Sequence, residues 1–229
     1  MIENLADQIP DPGKLILIDK PLTWTSFDVV KKLKFAGKFK KIGHAGTLDP
    51  LATGLLILCT GKMTKQIDNY QAQEKEYTGT FVLGKTTPSV DLETDFDREF
   101  EVSHIDSDLL NAVKQQLTGI IQQFPPIYSA IQVGGKRLYE FARKGQDVVI
   151  KSREVTVKSF EIDSKNFPEI SFKIVCSKGT YIRSLVRDFG SLCNSGAYLS
   201  SLRRTKIGEF DVADALTIEQ FVEAAQNEN

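Results

Sequence analysis

The sequence predicts an α+β fold built on a largely antiparallel or mixed central sheet flanked by helices. Apolar runs of strand length outnumber what a regular alternation of strands and helices would give, and several follow one another directly. With 229 residues, the chain is long enough for one large domain, and it contains no internal repeat and no obvious linker. We therefore expect residues 1–229 to form a single domain.

The N-terminal half alternates short strands with helices. KLILID at 14–19 is an apolar run that stops before Pro21, and Thr25 or Ser26 then caps a predicted helix that ends at Gly37. The remaining elements of this half are two strands rich in apolar, β-branched and aromatic residues and two helices. They are the strands 54–61 and 76–84 and the helices 62–71 and 106–117.

Acidic residues dominate the segment 85–101, which is predicted to be a mobile loop or a solvated edge. They are Asp91, Glu93, Asp95, Asp97, Glu99 and Glu101.

The C-terminal half begins with paired prolines and paired glycines, which predict a long loop over 122–137 that a short helix at 138–145 closes. Two strands follow directly, and the second alternates apolar with polar or smaller residues. A helix with one apolar stripe comes next. These elements are the strands 153–162 and 169–177 and the helix 179–196, and the segment 197–208 and a helix over 217–226 complete the chain.

Composition excludes several classes of protein. The formal net charge is −1, so a polyanion would have to be bound by local patches. The three cysteines lack CxxC spacing, which indicates reduced, mostly buried thiols and no zinc site. The N-terminus does not resemble a signal peptide, and no apolar run approaches the roughly 18 residues of a membrane span. We expect a soluble, cytoplasmic protein without a membrane partner.

One segment, GHAGTLDPLATG at 43–54, holds a single aspartate and a single histidine among small, turn-forming or apolar residues. Pro50 disfavours a helical conformation at Asp49, and the apolar run that follows anchors the loop. The result would be a carboxylate of fixed direction at the rim of a sheet, beside the imidazole of His44. The alternative is a plain turn in which Asp49 caps its own backbone.

Few other residues can take part in chemistry with Asp49. Only two histidines occur, and the chain lacks G-x-S-x-G, P-loop and dinucleotide-binding motifs, so Asp49 would act as a general base or nucleophile without metal or nucleotide. Arg183 could orient the carboxylate through a bidentate ion pair, or could be an ordinary surface cation. Tyr77 could offer a flat surface to a base, or could be a core residue.

Basic residues cluster at 31–41, KKLKFAGKFKK, where six lysines and no acid surround two phenylalanines. Because this segment leads into the Asp49 loop, it indicates phosphate contacts, with a solvated helix face as the alternative.

Five segments in the same order resemble the bacterial tRNA pseudouridine(55) synthases, the TruB family. They are LIDKPLTWTSFDVV, GHAGTLDPLATGLL, KEYTGTFVLG, FPPIYSAIQVGGKRLYEFARKG and GTYIRSLVRDFG, the last followed by SLRRTKIG. The similarity spans roughly 14–218. It implies a pseudouridine-synthase-like fold and the isomerisation of one uridine of the tRNA T-loop, without cofactor, metal or guide RNA, in a monomer.

The resemblance also assigns roles to individual residues. Asp49 matches the essential aspartate, Arg183 its ion-pair partner and Tyr77 the tyrosine that stacks on the flipped base. Lys20, together with Pro21, braces the loop, His44 contacts displaced nucleotides, and Leu202 is an apolar wall of the uracil pocket. The other residues that we expect to bind the substrate are Tyr181 and three lysines of the basic cluster at 31–41, namely Lys38, Lys40 and Lys41. Residues 124–151 match an insertion that clamps the RNA.

Three features depart from the family pattern. Gln132 stands where a lysine is usual, which removes one possible phosphate contact from the clamp. Many members have glycine at Thr23, so the turn there is expected to differ. Many also carry a further small C-terminal RNA-binding domain of the PUA type, which we expect to be absent here. The alternative to the isomerase is a non-catalytic tRNA-binding or tRNA-folding module. A metal-free glycosidase lacks a clearly placed second carboxylate.

Overall fold

The computed structural model describes residues 12–128, 132–133, 136–137 and 150–227. The chain divides into two compact units. The first unit consists of Met1–Lys75 and Arg203–Asn229, and the second of Glu76–Leu202.

The elements follow one another in an α+β order. In chain order they are β1 (Leu15–Lys20), α1 (Ser26–Ala36), β2 (Ile42–Ala45), β3 (Ala52–Thr60), a 3-10 helix (Gly61–Gln66), α2 (Ile67–Ala72), β4 (Lys75–Leu83), β5 (Lys85–Thr86), β6 (Arg98–Glu99), α3 (Ser107–Gln116), β7 (Gly119–Gln123), β8 (Gln132–Val133), β9 (Lys136–Arg137), β10 (Arg153–Asn166), β11 (Glu169–Cys176), α4 (Ile182–Leu192), β12 (Ala197–Ile207), β13 (Phe210–Asp211), a 3-10 turn (Val212–Asp214) and α5 (Ile218–Asn227).

The first unit is built on β3, which pairs antiparallel with both β1 and β2. Alternate side chains of a strand point to opposite faces of its sheet. Leu56 and Leu58 accordingly join a cluster with residues of β1, α1 and α5, whereas Leu55, Ile57 and Cys59 join a second cluster with Ala45 and Ile207. Both faces of β3 are covered, which explains why its sequence is continuously apolar.

Helix α1 begins with a capping box, because the Thr25 hydroxyl accepts from the Asp28 backbone and the Asp28 carboxylate accepts from the Thr25 backbone. Its buried residues, Ser26, Val29 and Leu33, lie on one side. The helix ends at Gly37, as the sequence predicts.

In the second unit the strands lie in the order β12-β4-β11-β10-β7. Strand β12 begins in this unit and ends in the first unit. Strand β10 pairs antiparallel with β11 and with β7. Phe81, Phe160, Phe172 and Phe189 form a chain of ring contacts with centroids 5.0–6.1 Å apart. Helix α4 buries the apolar stripe that the sequence predicts.

The α+β class and the main elements are confirmed, mostly to within a few residues. The helix predicted at 62–71 is split into a 3-10 helix and α2. The segment 197–208, to which the sequence assigns no element, forms the strand β12 over most of its length, and the short strands β2, β5–β9 and β13 are missed. The helix predicted at 138–145 lies outside the described residues. The prediction of a solvated acidic segment is wrong for Asp91, which is 4% exposed.

Two further features of the described residues concern the cysteines and the helices. All three cysteines are buried and have free thiols. No helix among these residues is both long and apolar enough to cross a membrane.

Candidate functional site

The predicted Asp49 loop connects β2 to β3 in the first unit. The backbone of Leu48, which precedes the aspartate, is fixed on both sides by Ser26: its N–H donates to Ser26 Oγ at 2.9 Å, and its carbonyl accepts from the same hydroxyl at 3.2 Å. The Asp49 carbonyl accepts from the Ala52 N–H at 3.1 Å. The half-buried Asp49 is therefore held in a turn whose backbone is bonded on either side of it.

Lys20 lies beneath this loop at the end of β1 and is fully buried. Its ammonium donates to the carbonyls of Pro21, Trp24 and Pro50 at 2.9, 2.6 and 3.3 Å. Burial lowers the pKa of Lys20 from 10.5 to about 8, while the negative charge of Asp49 opposes that shift. Through its bond to the Pro50 carbonyl, Lys20 connects the end of β1 to the residue that follows Asp49.

Thr23 makes the second bond to the same proline, donating its N–H to the Pro50 carbonyl at 2.9 Å. Its φ is 69°, in the left-handed region where a β-branched residue is strained and glycine is not. Thr23 thus adopts the left-handed backbone conformation that glycine adopts without strain. The expected difference from family members with glycine at this position is therefore not a change in the sign of φ.

Arg204, which the sequence does not single out, joins the start of the loop to β3. It is 1% exposed, and its guanidinium donates to the Leu55 carbonyl at 2.8 Å and to the Gly46 carbonyl at 3.0 Å. Gly54 packs against the Arg204 backbone so closely that a Cβ would lie 2.3 Å from the Arg204 carbonyl oxygen. Gly54 also has φ +102°, so glycine is required there for two reasons.

His44 lies in β2, opposite Leu58 of β3. Burial and the nearby charge of Arg204 lower its pKa below 6.5, which favours a neutral imidazole. Its buried Nδ1 has no hydrogen-bond partner within the part of the chain that the structure describes.

Arg183, in the first turn of α4, belongs to the second unit and is 4% exposed. Its guanidinium donates to the carbonyls of Ser89 and Tyr128 at 3.0 and 2.8 Å, and its Nε lies 3.6 Å from a carboxylate oxygen of Asp91. Arg183 is therefore not an ordinary surface cation.

Asp91 is itself fixed by its neighbours. Its carbonyl accepts from the hydroxyls of Thr87 and Ser89, and its carboxylate accepts from the Glu93 N–H at 3.0 Å. A buried carboxylate beside a buried guanidinium compensates part of the cost of removing each charge from water.

Tyr181 precedes Arg183 and is held by Gln123, a fully buried residue of β7. The Gln123 amide donates to the Tyr181 carbonyl at 3.1 Å and accepts from the Tyr181 N–H at 2.8 Å. The Arg153 guanidinium lies over the Tyr181 ring, 4.5 Å from its centroid. Both the backbone and the ring of Tyr181 are thus supported.

Two family models together match residues 32–229. The TruB family pseudouridylate synthase N-terminal domain matches 32–182, and the tRNA pseudouridylate synthase B C-terminal domain matches 183–229. The chain belongs to the TruB family of pseudouridylate synthases.

Similar proteins cover most of this TruB-family chain. A Flavobacterium johnsoniae protein named tRNA pseudouridine synthase B is 55% identical over 221 residues, 93% of this chain and 96% of that protein. A Phocaeicola vulgatus protein of the same name is 48% identical, with 92% of each chain covered.

The fold is also similar to that of solved structures. A chain from the crystal structure of a Cbf5-Nop10-Gar1 complex matches with a TM-score of 0.69 and 27% identity over 91% of this chain. A chain from an archaeal box H/ACA sRNP Nop10-Cbf5 complex matches with a TM-score of 0.68 and 25% identity over 98%. The present chain spans 53% and 57% of their lengths. These similarities confirm the pseudouridine-synthase-like fold.

The predicted site residues of this TruB-family chain divide between the two units. The first unit contains Lys20, Lys38, Lys40, Lys41, His44 and Asp49, and the second contains Tyr77, Tyr181, Arg183 and Leu202. Tyr77 is 9% exposed in β4, Leu202 is half-buried in β12, and the three lysines are exposed after α1. The pairing of Asp49 with Arg183 and the roles of these residues stay predictions.

Sequence reasoning missed Arg204, Asp91 and Ser26. Arg204 lies within SLRRTKIG, but no local signal distinguishes it from Arg203. Asp91 lies among five other acids in the sequence, and the sequence indicates Ser26 only as a helix cap. Residues 124–151 of the predicted clamp are described only in part.

Proposed function

We propose that this chain isomerises uridine to pseudouridine in the T-loop of tRNA, at position 55, acting as a single subunit without guide RNA. Membership of the TruB family carries this proposal. It is supported by relatives named tRNA pseudouridine synthase B that align over nearly their whole length. A tRNA substrate also favours a cytoplasmic location.

Asp49 is the catalytic carboxylate of the proposal. The reaction breaks the N1–C1′ bond, turns the uracil and joins C5 to C1′; the proton lost from C5 is replaced by one on N1, so atoms balance without a cofactor. Asp49 starts it either by attacking C1′ or by removing the 2′ proton. The rigid loop backbone supports both routes, because a fixed carboxylate spends no free energy on orientation when the substrate arrives.

Tyr77 and Arg183 complete the catalytic set that we propose. The target base leaves its stacked loop at a cost of a few kcal/mol, and stacking on the Tyr77 ring offsets part of that cost. Arg183 orients the Asp49 carboxylate. The contacts of Arg183 with Asp91, Ser89 and Tyr128 hold its guanidinium in one position and support this role.

The remaining predicted residues bind the RNA. Lys20 braces the loop. The buried Nδ1 of His44, which has no hydrogen-bond partner among the described residues, can accept from or donate to a nucleotide. Leu202 and Tyr181 contribute to the uracil pocket. The lysines of the exposed segment, Lys38, Lys40 and Lys41, contact phosphates together with the clamp at 124–151.

Tritium release from tRNA that carries 5-tritiated uridine tests the proposal. The wild-type chain should release one tritium per tRNA, from a single uridine. The Asp49→Asn variant should bind the tRNA but release no tritium. A wild-type chain that binds tRNA but releases nothing would instead be the non-catalytic module. An active Asp49→Asn variant would remove Asp49 from the mechanism.

A further inference from the structure

Helix α1 presents two phenylalanines and two lysines on its outer side, which we call the α1 stripe: Phe27, Lys31, Lys34 and Phe35. Phe27 is 69% exposed and Phe35 is 74% exposed, the latter the largest value among large apolar side chains of the described residues. Both lysines are exposed as well. The stripe lies opposite Val29 and Leu33, which bury the inner side of the helix.

The spacing of the rings gives the stripe a regular form. Phe27 and Phe35 are eight residues apart, and a helix rises 1.5 Å per residue, so the rings follow each other at roughly 12 Å on one side. Lys31 lies one turn from each. An isolated exposed apolar residue is ordinary, but two rings aligned along one helix side form a surface that favours a flat partner.

The charge of this region selects the class of partner. No acid occurs between Asp28 and Asp49, whereas six lysines do. A chain whose net charge is −1 has concentrated positive charge here, which attracts a polyanion and repels a basic protein surface. RNA offers both phosphates for lysines and flat base faces for phenylalanines.

The stripe is also connected to the catalytic loop within the first unit. The first residue of α1, Ser26, makes the two hydrogen bonds that fix Leu48, next to Asp49. RNA bound along α1 would therefore contact an element whose start is bonded directly to the loop.

We propose that the α1 stripe binds unpaired nucleotides of the substrate RNA. Phe27 and Phe35 each stack on the face of one base. Lys31 and Lys34 contact the phosphates beside them. This inference rests on the proposed function and adds to it a second contact surface, separate from the pocket that receives the target uridine.

Ring chemistry distinguishes stacking from general hydrophobic contact. Phe27→Leu and Phe35→Leu keep an apolar side chain but remove the flat ring, so each should weaken tRNA binding about 5- to 100-fold. Phe27→Tyr and Phe35→Tyr keep the ring and should retain wild-type affinity. Fluorescence anisotropy with full-length tRNA measures the dissociation constants. Phe167→Leu is the control, because Phe167 is also an exposed phenylalanine, 38% exposed, but lies outside the α1 stripe; it should bind tRNA as wild type does.

Salt dependence tests the lysines. The slope of log affinity against log salt should fall by about 0.7–0.9 for each of Lys31→Gln and Lys34→Gln, because each loses one phosphate contact. Lys165→Gln, which removes an 86%-exposed lysine of the second unit, should leave the slope unchanged.

The outcome that overturns the proposal is an active wild-type enzyme whose leucine and glutamine variants bind tRNA as tightly as wild type. If sedimentation shows dimers that only the phenylalanine variants dissociate, the stripe is an interface with a second copy and the proposal is wrong. Loss of tritium release by the wild-type chain would refute the proposed function alone, since the binding measurements do not depend on turnover.

Discussion

The guanidinium of Arg204 should determine the position of the Asp49 loop. It donates to the Leu55 carbonyl of β3 at 2.8 Å and to the Gly46 carbonyl at the start of the loop at 3.0 Å, from a site that is 1% exposed. Arg204→Met leaves the carbonyls of Leu55 and Gly46 without these donors. A hydrogen bond from a charged donor contributes about 1.5–3 kcal/mol, so losing both should lower the free energy of unfolding by roughly 3–6 kcal/mol.

Turnover should fall by more than this instability explains. A domain in the middle of the usual range, stabilised by about 10 kcal/mol, keeps roughly 4–7 kcal/mol after that loss, so activity can be measured on native protein. A loop carboxylate displaced by about 1 Å can cost roughly 100-fold in rate. We therefore expect kcat for tritium release to fall about 100-fold for Arg204→Met. KM for tRNA should change less, since the phosphate contacts that we propose for Lys38, Lys40 and Lys41 do not involve Arg204.

Two comparison variants separate position from charge and from general damage. Arg204→Lys keeps the charge but cannot reach both carbonyls with a fork geometry, so kcat should recover only in part. Arg203→Met removes the neighbouring arginine, which is 39% exposed and pairs with Asp19, and should cost about 0–1 kcal/mol of stability. A folded Arg204→Met variant with wild-type kcat would show that Arg204 does not position Asp49.

Three other changes have defined outcomes in urea unfolding. The pKa of Lys20 is about 8 in the folded chain and 10.5 in the unfolded chain, so between these pH values the unfolded chain binds more protons. The free energy of unfolding should therefore rise with pH in this range by up to about 3 kcal/mol, and the Lys20→Met variant should lack this rise. Because the pKa of His44 is lowered from 6.5 in the folded chain, the free energy of unfolding should fall as the pH drops below 6.5. The His44→Asn variant should lose this part of the pH dependence; if its pH dependence equals that of wild type, His44 is solvated in the folded chain. Gly54→Ala should destabilise the fold by roughly 2 kcal/mol more than Gly119→Ala. Both glycines have a positive φ, +102° and +96°, but only a Cβ at position 54 would collide with the Arg204 backbone. Equal losses of stability would contradict this packing.

Patterns within one element predicted the fold well, because burial imposes a local period. The apolar run of β3 and the stripe of α4 each follow from what that element buries. Two-residue strands such as β5 and β6 have no such period, since their pairing is set by the partner strand and leaves no trace in so short a segment.

Contacts between distant residues were the part of the site that the sequence did not reveal. Arg204 is 158 residues from Gly46, and Arg183 is 94 residues from Ser89. Arg204 and Arg203 are identical in type and adjacent, yet one is buried and the other pairs with Asp19 near the surface. No composition or spacing rule separates them, because the difference arises only when β12 meets the loop backbone.

The buried cations beneath the loop share one feature that bears on its chemistry. Lys20 donates to the Pro50 carbonyl and Arg204 to the Gly46 carbonyl, and these loop carbonyls are dipoles and not compensating charges. Their positive charge is therefore only partly neutralised, and the interaction of Lys20 with Asp49 is attractive. The Lys20 side chain that bonds to the loop backbone therefore also places a positive charge near the only carboxylate of the loop, so the position of Asp49 and the charge beside it both depend on Lys20.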